Sequence, residues 1–125
     1  MSDYKTPRTQ ADLDGLTAED VSRLESIADL AAAFARLVAR RQVSVFERTC
    51  GFPLEDVIKA IRNRGWGFDF GTADVSDVKG PIMASVHLVT PDSFIWGTSE
   101  HSDPDPARAL MSAAVLAAIA ERDAR

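Results

Sequence analysis

The pattern of apolar and polar positions is clearest near the end of the chain, where it predicts a helix over residues 106–122. Met111, Val115 and Ile119 form one apolar stripe of this helix, and alanines form most of the opposite side. Asp105, which is followed by a proline, has the residue type of an N-cap. Because a helix that is apolar all round must be covered on both sides, we expect the other elements to pack around it.

Helical spacing also runs through the N-terminal half of the chain. Apolar residues recur from Val21 to Val38 at intervals of three and four, which predicts one long N-terminal helix over residues 17–40. The preceding residues, 1–16, are mostly polar and show no periodicity. They are expected to form a flexible N-terminal arm.

Two shorter segments follow this predicted helix. Residues 53–65 begin with a proline, carry acidic residues near the start and basic residues near the end, and stop at a glycine, as a helix would. Residues 42–50 are ambiguous, because Val43 and Val45 alternate as in a strand while Gly51 would equally well end a short helix. We favour the helix for this segment.

After residue 65 the period of the apolar positions changes from 3.6 to two, which indicates strands. Trp66, Phe68 and Phe70 alternate with glycine and aspartate, and a second alternating run occupies residues 82–89. Two further aromatic residues, Phe94 and Trp96, lie on the next predicted strand. Because the residues between the aromatic side chains include almost no cations, we expect all five, Trp66, Phe68, Phe70, Phe94 and Trp96, to pack in the core rather than to stack on bases.

A turn at Pro91 brings residues 94–98 back as a third, antiparallel strand. The predicted fold class is therefore α+β, a three-stranded antiparallel sheet packed by helices in the order α-α-β-β-β-α, with residues 17–125 forming a single domain. We expect the following side chains to be mostly buried: Trp66, Phe68, Val86, Leu88, Leu110, Met111, Val115 and Ile119.

The composition is that of a folded domain. The 125 residues are 46% apolar and 26% charged, and no apolar run is long enough to cross a membrane. The first residues lack the apolar stretch of a signal peptide, and the single cysteine, Cys50, has no cysteine partner within the chain. These features predict a cytoplasmic protein without membrane contact.

The charges are unevenly distributed. Residues 36–64 carry seven positive and three negative charges, whereas residues 65–105 carry one positive and seven negative charges. The acidic region supplies the candidate surface for a protein partner with a basic groove: Asp69, Asp74, Asp77, Asp92, Glu100 and Asp103. The basic region supplies the candidate residues for DNA binding: Arg48, Lys59, Arg62 and Arg64. The alternative is that both regions are solvated faces whose charge promotes solubility only.

The residue types that carry chemistry form no catalytic motif. Cys50 has no evident base beside it in the sequence, His87 fits a half-buried strand position, and no glycine-rich phosphate loop is present. His101 lies among carboxylates that could bind a metal, but their spacing matches no ligand pattern, and the same carboxylates can cap the last helix. The sequence therefore predicts a protein that is not an enzyme and that has no cofactor and no metal.

Two segments of the chain resemble known classes of protein. The aromatic strands, the acidic loop and the segment Asp105-Pro-Ala-Arg-Ala-Leu-Met-Ser-Ala-Ala resemble the end of small phage-encoded α-β-α sandwich domains, whose function is unassigned. Residues 46–64 resemble a helix-turn-helix, with Gly51 in the turn and Val57 as the buried aliphatic residue six positions later. Glu47 departs from that pattern, which has a small residue at this place.

A resemblance in topology to double-stranded-RNA-binding domains is opposed by the residues themselves. The lysines that such a domain needs at the start of its last helix are replaced by Asp103, Asp105 and Arg108. Glu55 and Asp56 at the start of the predicted recognition helix would also face phosphates unfavourably. Nucleic acid is therefore not the favoured partner.

The leading hypothesis is a small non-enzymatic interaction protein, encoded by a phage or mobile element. It would bind and inhibit a host protein through an acidic surface that imitates nucleic acid. The alternatives are a winged-helix-like DNA-binding regulator and a dimeric ligand-binding regulatory domain. A homodimer is expected if the alanine-rich faces of the first and last helices do not cover each other.

Overall fold

The computed structural model describes residues 10–72, residue 76 and residues 79–125. Five α-helices precede the sheet and one follows it within these residues: α1 (Gln10–Asp14), α2 (Ala18–Val21), α3 (Ile27–Phe34), α4 (Val45–Cys50), α5 (Leu54–Asn63) and α6 (Pro106–Asp123). A π-helical segment, Ala35–Ala39, continues α3. The strands are β1 (Gly67–Thr72), β2 (Ile82–Val89) and β3 (Ile95–Asp103). The mixed α+β class and the three-stranded antiparallel sheet are confirmed.

Helix α6 is the centre of the structure. It contacts β2 and β3 on the sheet, and also α2, α3, α5 and the π-helical segment. The Asp105 carboxylate caps it by accepting a hydrogen bond from the backbone N–H of Ala107 at 3.0 Å. The predicted core is confirmed, since seven of its eight side chains are buried and Phe68 is partly buried against them. The sheet thus covers α6 on one side, and the helical layer, formed by α1 to α5 and the π-helical segment, covers it on the other.

The prediction of one long N-terminal helix is wrong. Helix α2 ends at Val21, and α3 begins at Ile27 after Ser26, whose hydroxyl accepts a hydrogen bond from the backbone N–H of Asp29 at 3.1 Å. A serine that caps a new helix has an extended backbone, so the helical path is interrupted there although the apolar spacing continues. The predicted order of helices also changes, because five helices rather than two precede the sheet within the described residues.

The arm predicted over residues 1–16 is described only from residue 10 onward. Helix α1 lies in this stretch, and Leu16 after it is buried. The Asp14 carboxylate accepts hydrogen bonds from Arg36 at 2.9 and 3.0 Å, and the Asp14 carbonyl accepts one from Arg122 at 2.7 Å. Residues 10–16 are therefore attached to the π-helical segment and to the end of α6.

The ambiguous segment 42–50 contains helix α4, as favoured. Ser44 and Glu47 form a reciprocal capping box at its start, and Gly51 ends it with φ of +80°. A Cβ at Gly51 would lie 2.9 Å from the side chain of Ile27, so this turn needs a glycine both for its backbone and for its contact with α3. The turn sets α5 directly after α4.

The strands pair in the order β1-β2-β3. Asp69 faces Ser85 across the first pair, and Ser85 faces Glu100 across the second pair. The register shifts between Leu88 and Val89, where β3 has an extra residue.

Candidate functional site

One face of the sheet packs on α6 and the opposite face is open to solvent. Ala84, Val86 and Leu88 of β2 are buried on the packed face. Because successive side chains of a strand point to opposite faces, the alternate residues of each strand belong to the open face. On β3 these residues include Thr98 and Glu100, and both are exposed.

Carboxylates flank the middle of this open face. Asp69 on β1 and Glu100 on β3 lie in one row with Ser85 between them. Since neighbouring strands are about 4.8 Å apart, the backbones of the two acidic residues are separated by about 10 Å. Glu100 forms no ion pair with any described residue, so its charge is available to a partner.

The next row of the open face is joined by hydrogen bonds through His87. Its Nε2 lies 2.9 Å from the Asp69 carboxylate, and its Nδ1 lies 3.1 Å from the Thr98 hydroxyl. A hydroxyl, an imidazole and a carboxylate occur in the same order in hydrolases, where the carboxylate is buried. Here 65% of the Asp69 side chain is exposed. The row therefore holds three strands together and fixes the Asp69 carboxylate on the surface.

An apolar run lies at the end of the sheet where β2 turns into β3. Phe94 is 71% exposed, Ile95 is 61% exposed and Trp96 is 47% exposed. The prediction that the strand aromatics pack in the core is thus wrong for Phe94 and Trp96, and also for Phe70, which is exposed. The physical reasons are that Phe94 precedes β3 and that Trp96 is the extra residue at the register shift, opposite no residue of β2.

The turn before this run is held by short hydrogen bonds. The backbone N–H of Thr90 donates to the Phe94 carbonyl at 2.8 Å, and the Phe94 N–H donates to the Thr90 hydroxyl at 3.1 Å. Ser93 has φ of +68°, in the left-handed region that lets the chain reverse within a few residues. Phe94 is therefore presented from an ordered turn, with the exposed Asp92 beside it.

The acidic residues predicted to form a binding surface are only partly brought together. Asp69, Asp92 and Glu100 are exposed on the sheet or its turn. Asp103 is half-buried, and its carboxylate accepts a hydrogen bond from the Asp105 N–H at 2.9 Å and lies 3.5 Å from the Arg108 guanidinium. It thus stabilises the start of α6. The other two predicted residues, Asp74 and Asp77, lie outside the described residues.

The basic residues predicted for DNA binding lie on the helical layer. Arg48 on α4 and Lys59 and Arg62 on α5 are exposed. Arg64 has a structural role instead, because its Nη2 donates to Glu121 at 2.6 Å and its guanidinium stacks on the Trp66 ring at 4.7 Å. Three of the four cations are therefore accessible to solvent.

Glu47, the residue that departs from the helix-turn-helix pattern, is buried, and the charge of its carboxylate is balanced by Arg41. Two hydrogen bonds from Arg41, at 2.8 and 2.6 Å, lower the pKa of the Glu47 carboxyl to about 2, and burial opposes this shift. Gly51 and the buried Val57 occupy the places that the resemblance requires. Helix α4 packs on α3, and α5 packs on α6.

Sequence reasoning missed the exposed aromatics and a group of cations at the end of the π-helical segment. The signal for Trp96 was in the sequence, since the residues two and four positions after it, Thr98 and Glu100, are polar. Arg40 and Arg41 were counted only as part of the basic region. Their convergence depends on the left-handed backbone of Arg40, which apolar periodicity does not report.

The described residues contain no group of three or more histidines, cysteines or carboxylates that could hold a metal ion. His101 lies next to Glu100 on β3, so the two side chains leave opposite faces of the sheet. Burial lowers the pKa of His101. No helix among the described residues is long and apolar enough to span a membrane.

The chain matches no protein-family model, no curated protein and no solved structure. Its resemblances to phage-encoded sandwich domains and to helix-turn-helix proteins therefore stay predictions. The function is inferred from the geometry of the chain itself.

Proposed function

We propose that this protein is a non-enzymatic module that binds another protein through the open face of its sheet. The observation that carries the proposal is the exposed run Phe94, Ile95 and Trp96 on an ordered turn. Large aromatic side chains are common energetic centres of protein interfaces, and three large apolar residues in succession are seldom left in water without a use.

The charges around this run indicate the chemistry of the partner. Asp92 and Glu100 form no ion pairs among the described residues, and Asp69 is exposed beside them. Carboxylates at the rim of an interface accelerate association with a basic surface and set orientation more than they add affinity. The fitting partner has an apolar pocket bordered by lysines and arginines.

The proposal extends to a specific role, the inhibition of a host protein by imitation of nucleic acid, as expected of a product of a phage or mobile element. Its support is the row that places two carboxylates about 10 Å apart on an open, ordered surface. Asp103 takes no part in this surface because it is engaged at the start of α6.

The experiment compares three variants in one capture assay. Tagged protein captures its partner from a bacterial lysate, the partner is identified by mass spectrometry, and the affinity of the purified pair is measured at increasing salt. We expect Trp96→Ala to weaken binding about tenfold or more and Glu100→Lys to slow association. Arg62→Glu, an exposed charge reversal on the helical layer, is the matched control and should bind as the wild type does. Equal binding by all three variants would contradict the proposal.

A second candidate function, DNA binding, is favoured by one observation. Gly51 turns the chain between α4 and α5 as the resemblance requires, and Arg48, Lys59 and Arg62 are exposed there. A gel shift with duplex DNA near 50 mM salt tests it, because phosphate contacts are strongest at low salt. A shift that disappears in Arg62→Glu would support the regulator, and the absence of any shift would remove it.

The third candidate is a dimeric ligand-binding domain, and a dimer is expected if the alanine-rich faces of the first and last helices do not cover each other. Helices α3 and α6 contact each other, and most of their alanines are buried within the single chain, although Ala28 and Ala32 are half-buried and Ala120 is exposed. The buried parts of these faces need no second copy to cover them. A homodimer stays a prediction, and light scattering tests it.

A further inference from the structure

A cleft of about 420 Å³ lies between the end of the π-helical segment and helix α5. This volume is in the range of sites for small organic ligands. Four cationic side chains, those of Arg40, Arg41, Lys59 and Arg64, line the cleft together with a single carboxylate, Asp56. The lining side chains alone carry a net charge of about +3, which the carboxylates of Glu47 and Glu121, bound to Arg41 and Arg64, reduce to about +1.

The four cations differ in whether they form ion pairs within the described part of the chain. Arg41 is bound to Glu47, and Arg64 is bound to Glu121 through Nη2 while its buried Nη1 has no hydrogen-bond partner among the described residues. Arg40 and Lys59 form no ion pair with the described residues. The positive charge of Arg40, after burial, contributes to lowering the pKa of Arg64. Like charges are thus held close together without full compensation.

The backbone at Arg40 is also unusual. Arg40 ends the π-helical segment with φ of 55° and donates its backbone N–H to the Ala35 carbonyl. A left-handed conformation at the end of a helix ordinarily has a glycine, because a side chain there is strained. Strained residues and π-helical turns both concentrate at ligand sites. The presence of an arginine at this position is explained if its side chain is needed in the cleft.

We propose that this cleft binds a small organic phosphate. Arg40 and Lys59 supply the cations that are free to contact phosphate oxygens, and the Asn63 side chain, which also lines the cleft, can donate a hydrogen bond to them. The apolar part of the lining, formed by Val38, Phe52 and Ala60, suits the organic part of the ligand. This site is separate from the open face of the sheet and does not depend on the function proposed for that face.

Isothermal titration calorimetry with three probes tests the site: inorganic phosphate, adenosine 5′-monophosphate and adenosine. Both phosphates should bind, the monophosphate more tightly, and adenosine should bind at least tenfold more weakly than its monophosphate. Arg40→Gly keeps the left-handed backbone and Lys59→Ala changes an exposed residue, so both variants should fold. Each should weaken binding of the monophosphate about tenfold.

The matched control is Arg62→Ala, which removes an exposed cation from the same helix, α5, but outside the cleft lining. It should leave the affinity for the monophosphate unchanged. Equal affinities of the wild type, Arg40→Gly and Lys59→Ala would overturn the proposal, and so would adenosine binding as tightly as its monophosphate. Displacement of the monophosphate by duplex DNA from the wild type, but not from Arg62→Ala, would also overturn the proposal. The cleft would then be part of a nucleic-acid interface.

Discussion

The two faces of the sheet differ in what their side chains contact, although they belong to the same three strands. On one face Val86 and Leu88 are buried against α6, whereas on the other Glu100 is exposed and Asp69 is fixed by His87 on the surface. Trp96 belongs by alternation to the open face with Thr98 and Glu100, and this large apolar side chain is nearly half exposed. Apolar character alone therefore does not show which residues stabilise the fold. The contacts that each side chain makes show it.

This difference implies that stability and binding can be separated by substitution. Residues of the packed face contribute to the free energy of unfolding because their removal leaves a cavity. Exposed residues of the open face such as Glu100 are already in water, so their removal changes little in the folded chain, whereas Ser85 in the middle of this face is buried. The predictions that follow use matched substitutions to test this separation, beginning with the largest expected effect.

Leu88→Ala on the packed face should lower the free energy of unfolding by about 2–5 kcal/mol, because the deleted side chain is fully buried. Trp96→Ala on the open face removes more atoms but should cost less, about 1–2 kcal/mol, because 47% of Trp96 is already exposed. Urea denaturation of the two variants measures both values. Comparable losses in the two variants would show that Trp96 packs more than its exposure indicates, and the comparison between the faces would fail.

Charge in the helical layer provides a contrast, because there a carboxylate belongs to the fold. The pKa of Glu47 in the folded protein is about 2, below its ordinary value of 4.5, so the folded state binds fewer protons between these values. Stability from this group is present above about pH 4.5 and is lost as the pH falls toward 2. We expect a contribution on the order of 1–3 kcal/mol, reduced by solvent because 46% of the Arg41 side chain is exposed.

The pH dependence of unfolding in wild type and in Glu47→Gln isolates this contribution. The variant should be less stable at pH 7, and the difference between the two proteins should shrink as the pH falls from 4.5 to about 2. Parallel curves over this range would mean that the Arg41–Glu47 pair does not stabilise the folded state.

The smallest effect is expected for the hydrogen-bonded row of the open face. Thr98→Val keeps the shape of the side chain but removes the hydroxyl that contacts His87, which should cost about 0.5–1.5 kcal/mol or less at this exposed site. Chemical denaturation measures the loss, and Ser102→Ala, at an exposed position farther along β3, is the control. A loss above about 2 kcal/mol would indicate that the open face contributes to the fold as the packed face does.

The sequence predicted the parts of the structure in which periodicity and packing agree. In α6 the apolar positions cover the whole helix, so only a central, covered helix satisfies them, and the alternation in β2 specifies a strand in the same way. The long N-terminal helix failed because Ser26, a single polar residue, begins a new helix within an unbroken apolar pattern. Helix propensity and apolar spacing do not show that the Ser26 hydroxyl will bond to the backbone and interrupt the helix.

The candidate site was less predictable for a related reason. The carboxylates Asp69 and Glu100 could be expected on a surface from their charge, but their common row depends on the register of three strands. The face of Trp96 follows from its alternation with Thr98 and Glu100, but its lack of a partner on β2 depends on one extra residue in β3. Arg40 reaches the cleft because of one left-handed backbone angle. Such single-residue irregularities leave no trace in the average pattern of a strand or helix.

The central claim is that the open face of the sheet, and not the helical layer, contacts a partner protein. Site-specific photocrosslinking tests it most directly, with a benzophenone amino acid placed at Thr98 in one protein and at Arg62 in another. Both positions are exposed, and the hydrogen bond to His87 that is lost at Thr98 is expected to cost no more than about 1.5 kcal/mol, so both labelled proteins should fold. We predict that the label at Thr98 crosslinks to one partner from a bacterial lysate and that the label at Arg62 gives no such product. Excess unlabelled wild type should prevent the crosslink from Thr98, whereas excess unlabelled Trp96→Ala should not. A competed crosslink from Arg62 with none from Thr98 would contradict the account.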